Sequence, residues 1–216
     1  MAERKKTRDD AAAKEAVIAA ALPDAAFDGF TDALLAKAGE AVGVEKAELD
    51  RLFPEGARSL IEAYSLSADA EMEKLLAEMD LAKIKIRARI AAAVLARLSI
   101  LKPHKEAARR AAATLTLPMH AALGAKLMYH TVDAMWRAVG DTSTDFNFYS
   151  KRGILAGVYG ATLVRWFNDT SEDEQVTQDF LAARIENVMQ FEKFKAEAKK
   201  AFAKFPAFAD WAKPKR

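Results

Sequence analysis

The side chains best suited to catalysis or metal binding are few, and their spacing serves neither purpose. The three histidines are His104, His120 and His130, and the positions three residues before them hold Leu101, Leu117 and Leu127. A di-iron helical bundle needs Glu at such positions, in two Glu-x-x-His pairs, so that chemistry is excluded. The chain has no cysteine, which removes thiolate nucleophiles, disulfides, iron–sulfur clusters and thiolate zinc sites. H-E-x-x-H, G-x-S-x-G, a Walker loop and G-x-G-x-x-G are all absent. His130 and Asp133, at i and i+3, are expected to meet on a helix surface. Most of the 31 acidic residues are expected on solvated faces. The sequence therefore predicts no catalytic residue, no metal and no cofactor.

What must position any binding site is a set of helices. The 216 residues are 51% apolar and 30% charged, with 9 Gly and 6 Pro, a composition of ordered, core-forming proteins. Ala, Leu, Lys, Glu and Arg dominate, and Gly and Pro fall between periodic segments. An all-α protein is predicted, with helices at 10–22, 31–42, 45–53, 57–64, 68–80, 82–101, 104–115, 119–139, 145–168 and 172–205. Pro23 is expected to stop the first, Thr31 to cap the second, and Gly43 to end it. Three units are expected: a helix-turn-helix-like unit at 1–67, a helical domain at 68–190 and an amphipathic tail at 191–216.

The net charge of +2 is a cancellation of segregated blocks: residues 22–82 carry −9, residues 83–130 carry +9, residues 131–190 carry −4 and residues 191–216 carry +5. Such segregation reports partners or contacts between segments. The basic helix from Lys83 to Arg97 has two readings, neutralisation of the acidic block or contact with acidic lipid or a partner. The opening MAERKKTRDD has no apolar core for a secretory signal, and its Glu3, Asp9 and Asp10 disfavour a transit peptide. The longest charge-free runs fall short of the roughly 20 residues a membrane span needs.

The stretch from Phe30 to Tyr64 has the layout of a helix-turn-helix and resembles the N-terminal domain of TetR-type repressors. The helix that would enter the major groove holds Glu45, Lys46, Glu48, Asp50 and Arg51, net −1. Duplex DNA presents about one phosphate charge per 1.7 Å, so this helix would repel it. A structural helix-turn-helix without nucleic-acid binding is expected.

From Thr131 the chain reads TVDAMWRAVGDTSTDFNFYSKRGILAGVYGATLVRWFND. This resembles the signature of the Coq nine family, accessory lipid-binding proteins of ubiquinone biosynthesis with a TetR-like fold. The resemblance implies an apolar pocket for an isoprenoid quinone precursor or phospholipid, and a surface patch that docks the di-iron demethoxyubiquinone hydroxylase. Carried over by position, that patch includes Met135, Phe148 and Tyr149. The family commonly has Trp where this chain has Phe148, a change that keeps the aromatic ring and loses the indole N–H.

Along the helix that holds this motif, Leu155, Val158, Tyr159, Thr162 and Trp166 mark one broad apolar face. With Leu127 and Met128 on the preceding helix they are the candidate lipid-binding residues, although an ordinary core has the same pattern. Gly153, Gly157 and Gly160 on the same helix each cost roughly 0.5 to 1 kcal/mol against Ala. Close helix packing or room for a ligand tail would account for them.

In the tail, Phe191, Phe194, Phe202 and Phe205 fall within an arc of about 80° when projected at 100° per residue, while Lys195 and Lys199 lie to one side. Phe208 and Trp211 extend the apolar set beyond Pro206. These eight residues are the candidate membrane-surface anchor. Packing of the same stripe on the protein's own core, or across a homodimer, stands as the alternative, and in the absence of lipid the face is expected to be covered by protein. The expected function is that of a non-enzymatic, lipid-binding accessory protein. It would take an isoprenoid quinone precursor from the membrane surface and present it to the hydroxylase, as a homodimer peripheral to the bacterial inner membrane or on the matrix side of the mitochondrial one. A TetR-type regulator with a hydrophobic effector is the alternative, and a merely structural homodimer a third reading.

Overall fold

The Thr31 hydroxyl accepts the Leu34 amide at 3.1 Å and so starts a helix where its orphan N–H groups need a partner. The same helix ends as expected. Gly43 takes φ +71°, a conformation a side chain would strain, and the Val44 amide turns back to the Gly39 carbonyl at 2.9 Å. The computed structural model describes residues 2–142 and 146–203. Its helices are α1 (Ala2–Asp28), α2 (Asp32–Ala41), α3 (Lys46–Leu52), α4 (Ala57–Ala77), α5 (Ile86–Leu101), α6 (Lys105–Leu115), α7 (Ala121–Ala138), α8 (Phe146–Phe167) and α9 (Gln175–Ala203). There is no strand among the described residues. Short 3-10 turns at Lys102–His104 and Pro118–His120 mark the breaks expected at Pro103 and Pro118.

Four boundaries differ from the sequence reading. Helix α1 starts at Ala2 rather than at residue 10. Helix α1 does not stop at Pro23 but runs through it to Asp28. An interior proline costs about 3 kcal/mol, and here the buried Val17, Ile18, Ala21, Leu22 and Ala25, packed between α2 and α6, outweigh that cost. The helices expected at 57–64 and 68–80 are one, α4, because Leu60, Tyr64, Ala68, Met72 and Leu76 form a single buried stripe at intervals of four. It crosses the boundary expected at 67/68. The helix expected from residue 82 starts at Ile86, after a 3-10 turn at Leu81–Lys83. The Arg89 guanidinium holds that turn by donating to the Ala82 and Ile84 carbonyls.

Helix α4 packs on α5 and α7, α1 on α2 and α6, and α8 between α7 and α9. Leu60, Met72, Leu76, Val94, Leu98, Val132, Met135 and Trp166 are fully or almost fully buried at the centre. The charge blocks meet across these contacts. Lys126 of α7 reaches Glu62 of α4 at 2.6 Å, and Arg97 of α5 reaches Asp69 of α4 at 2.7 Å.

Candidate functional site

Helices α4 to α8 enclose a cavity of about 450 Å³, the size of a small-ligand site. Its walls are mainly apolar: Ile61, Leu101, Leu115, Leu127, Met128, Leu163 and Phe167, with Ala108, Ala111 and Ala112 of α6 leaving width. Gly124 lets α7 come close to the end of α6, since a Cβ there would sit 2.8 Å from the Leu115 carbonyl oxygen. The exposed lining residues are Thr116, Ala125 and Val164, which mark the mouth. The turn that follows Thr116 carries exposed Leu117 and Met119.

The opposite end is polar and buried. Tyr64, Ser65, Arg97, Thr131 and Tyr159 all line it. The Arg97 Nε donates to Asp69 Oδ1 at 2.7 Å, one Nη1 hydrogen goes to the Tyr159 hydroxyl at 2.7 Å, and Nη2 donates to the carbonyl and hydroxyl of Ser65. Asp69 also accepts from the Thr131 hydroxyl and faces His130 Nδ1 at 2.9 Å. Burial opposes the charge on Arg97, but Tyr159 and Asp69 more than offset it, and the guanidinium stays charged. Burial pushes the Tyr64 hydroxyl up to about 12 and raises that of Tyr159, so both phenols are neutral donors. The Tyr64 hydroxyl is buried without a hydrogen-bond partner.

The structure divides the predicted lipid-binding residues. Leu127, Met128 and Tyr159 line the cavity, as does Gly160. Leu155, Val158, Thr162 and Trp166 do not line it; they are buried in the core beside it. Thr162 donates to the Val158 carbonyl of its own helix. Trp166 donates to Glu174 at 2.6 Å, with the Lys105 ammonium 4.8 Å from its ring centroid, and so ties α8 to the turn before α9. Gly153 and Gly157 are exposed, with open space where a side chain would stand, so neither close packing nor ligand room accounts for them.

The expected partner patch is also revised. Met135 is 0% exposed, in the core of α7, and its side chain offers no surface to a partner. Phe148 is half-buried, its ring stacked 3.4 Å from the Arg152 guanidinium carbon and edge-on to Tyr149. Tyr149 is 68% exposed. His130 pairs with Asp69 rather than with Asp133, which holds Arg152 at 2.6 Å and Arg137 at 3.1 Å.

On α9, Phe191 is 62% and Phe194 69% exposed, so the stretch expected to be covered by protein is open at these two residues. Lys195, Lys199 and Phe202 lie in the helix, but their side chains are outside the described set; Phe205, Phe208 and Trp211 lie outside the described residues altogether. On α3, Arg51 makes a paired contact with Asp10 at 2.7 and 2.8 Å, and Lys46 pairs with Asp50 at 2.6 Å. Both cations of the helix that would face DNA are thus already engaged.

Sequence reasoning missed Asp69, Arg97, Tyr64 and Thr131. The available signal was a charge on a core-facing position: Arg97 sits between Val94 and Leu98, and Asp69 between Ala68 and Met72. Among the described residues no helix is long and apolar enough to cross a membrane, and no group of three or more His, Asp or Glu side chains is placed to hold a metal ion.

Residues 121–192 match the family model described as COQ9, the Coq nine family of the resemblance above. The chain is 31% identical over 179 residues to the mitochondrial ubiquinone biosynthesis protein COQ9 of Rattus norvegicus, an alignment that covers 80% of this chain and 57% of that protein. The Bos taurus protein of the same name is also 31% identical, over 80% of this chain and 56% of its own length. COQ9-B of Xenopus laevis is 38% identical over 97 residues, 45% of this chain and 33% of that protein. The chain thus spans less than three fifths of the length of these relatives. Among solved structures, the TetR transcriptional regulator from Nitrosomonas europaea superposes with a TM-score of 0.64 at 20% identity, over 80% of this chain and 95% of that one; at that identity the likeness shows a TetR-like fold. With the signature segment matched by the family model and four fifths of the chain aligned to COQ9 proteins, the chain is similar to the COQ9 family over most of its length.

Proposed function

We propose that this protein serves ubiquinone biosynthesis as a lipid-binding accessory protein that contributes no catalytic residue. It takes an isoprenoid quinone precursor, with phospholipid as a competing occupant, from the membrane surface and brings it to the demethoxyubiquinone hydroxylase. The observation that carries this reading is the apolar cavity between α4 and α8. Each buried CH₂ contributes about 0.8 kcal/mol, so the part of the lipid that enters the cavity regains there what that part loses on leaving the bilayer. The names of the relatives, which place them in ubiquinone biosynthesis and in mitochondria, support the pathway, and the reading puts the site of action at the inner membrane. Exposed Phe191 and Phe194 support reversible docking on that membrane's surface, and exposed Tyr149 with Phe148 beside it supports the partner patch. The open, uncharged positions Gly153, Gly157 and Ala161 on α8 suit a homodimer contact.

A regulator that binds DNA would share the fold and cavity, but it would first have to break the Arg51–Asp10 and Lys46–Asp50 pairs and then hold phosphate against net negative charge. Native mass spectrometry and solvent extraction of the purified chain test the reading directly. Bound isoprenoid or phospholipid is expected, and Gly160→Phe, which projects a ring into the cavity from a position 3.8 Å from Met128 Cε, is expected to reduce the bound lipid several-fold. A wild-type protein that carries no lipid and takes none up from vesicles would end the proposal.

A further inference from the structure

The polar end of the cavity has a one-sided hydrogen-bonding character. Tyr64 is buried and its hydroxyl has no partner. The Tyr159 hydroxyl accepts from Arg97, while its own hydrogen meets no acceptor among the described residues. A guanidinium has five N–H groups; Nε is used by Asp69, one Nη1 hydrogen by Tyr159, and Nη2 by Ser65, which leaves a second Nη1 hydrogen. The buried end therefore holds donors that no acceptor among the described residues meets, the Tyr64 and Tyr159 hydroxyls and the second Arg97 Nη1 hydrogen, and a buried donor left unmet is costly. It carries no spare charge, because Asp69 already neutralises Arg97 at 2.7 Å. The complement of such a site is a neutral oxygen acceptor, a carbonyl or ether, and not a carboxylate.

Geometry fixes the direction. The donors lie at the buried end, and the mouth, at Val164, Ala125 and Thr116, is exposed and flanked by apolar Leu117 and Met119. A cavity of about 450 Å³ is at the small end of ligand sites, with room for a substituted ring and the start of a chain but not for a long polyprenyl tail.

On the reading that this cavity holds lipid, we infer that Tyr64, Tyr159 and Arg97 bind the ligand's neutral, carbonyl-bearing ring head-first, with its tail running out through the mouth. The site selects quinone-like heads over hydrocarbons and fatty acids of equal length, and handover to a partner draws the ring back out past Val164.

The test uses the full chain, detergent-stripped of lipid, and three probes with the same ten-carbon tail: a decyl-substituted benzoquinone, decylbenzene and a fatty carboxylate. Equilibrium binding to wild type is expected to favour the quinone at least tenfold over both others. Tyr64→Phe removes a hydroxyl that has no protein partner, so thermal stability is expected to hold or rise, while quinone affinity falls about tenfold and decylbenzene affinity is unchanged. The quinone carbonyl stretch should move to lower frequency on binding wild type and move less in Tyr64→Phe. Equal binding of quinone and decylbenzene, preference for the carboxylate, or a Tyr64→Phe protein with wild-type selectivity would each overturn the inference and leave the cavity reading standing. Failure of all three probes to bind wild type would overturn both.

Discussion

Removal of the Asp69 carboxylate is the most demanding test of how the core and the cavity are coupled. Asp69 is almost completely buried and takes hydrogen bonds from Arg97 and Thr131 while facing His130. Asp69→Ala leaves the Arg97 guanidinium, itself buried, without a counter-charge. Loss of one partner from a buried ion pair costs about 3 to 5 kcal/mol, a large part of the roughly 5 to 15 kcal/mol that holds a domain of this kind together. At about 2 to 4 °C per kcal/mol for a chain of this length, the melting temperature should fall by roughly 6 to 20 °C, or the variant should fail to accumulate folded. The control replaces both ions, as Asp69→Leu with Arg97→Met, where apolar groups of similar volume take the place of the pair. That double variant should recover most of the lost stability yet show a weaker preference for a carbonyl-bearing ligand, because the Arg97 donor and its hold on the Tyr159 hydroxyl are gone while Tyr64 remains. Urea denaturation followed by circular dichroism measures both variants. A single variant that loses less than about 1 kcal/mol, or a double variant no more stable than the single, would show that the buried pair does not govern this part of the core.

The remaining predictions separate surface roles from core roles. Tyr149→Ala, at a mostly exposed position, should leave the melting curve within about 0.5 kcal/mol of wild type and weaken capture of the demethoxyubiquinone hydroxylase in a pull-down; unchanged capture removes the residue from the patch. Met135→Ala should instead cost about 2 to 5 kcal/mol of stability, and a stable variant would contradict its burial. Truncation after Gln190 should abolish flotation with vesicles that contain anionic lipid, since it removes Phe191, Phe194 and the lysines beyond them; unchanged flotation would refute the membrane role of the tail. Asp169 is partly desolvated, which alone would raise its pKa, but hydrogen bonds from Ser171 and Thr177 prevail and hold the carboxyl well below its ordinary value of 3.8. Its stabilising contribution is therefore fully present above about pH 4 and is lost as pH falls through the lowered folded-state value. Denaturation at pH 5 and at pH 3 should show a larger loss for wild type than for Asp169→Asn, and equal losses would refute the assignment.

Which of these features were legible in the sequence follows from the range over which each is decided. The cap at Thr31 and the stop at Gly43 involve neighbours within a few residues, so residue type alone announces them. Pro23 carries an equally clear local signal, and it fails because the deciding energy is the burial of Val17, Leu22 and Ala25 against α2 and α6, which no local window contains. The same limit explains the cavity. A broad apolar face on α8 says that Leu155, Val158, Tyr159 and Trp166 point inward, but an inward-facing residue borders either a neighbour or a void, and periodicity is the same for both. Tyr159 borders the void and Trp166 does not, because α4, α5 and α6, remote in sequence, stand opposite the first and the turn before α9 opposite the second. Met135 shows the matching limit of a motif, which carries a position across from a family without saying which way the side chain turns in this chain. The polar end of the cavity was the least visible part, since Asp69 and Arg97 sit 28 residues apart on different helices and were absorbed into charge blocks of opposite sign. Yet each is a single charge on an otherwise apolar face, and that contradiction with its surroundings is written in the helix register itself: a charge that the register sends inward must find a partner there. In this protein the two charges find each other, and their meeting point is the polar end of the cavity.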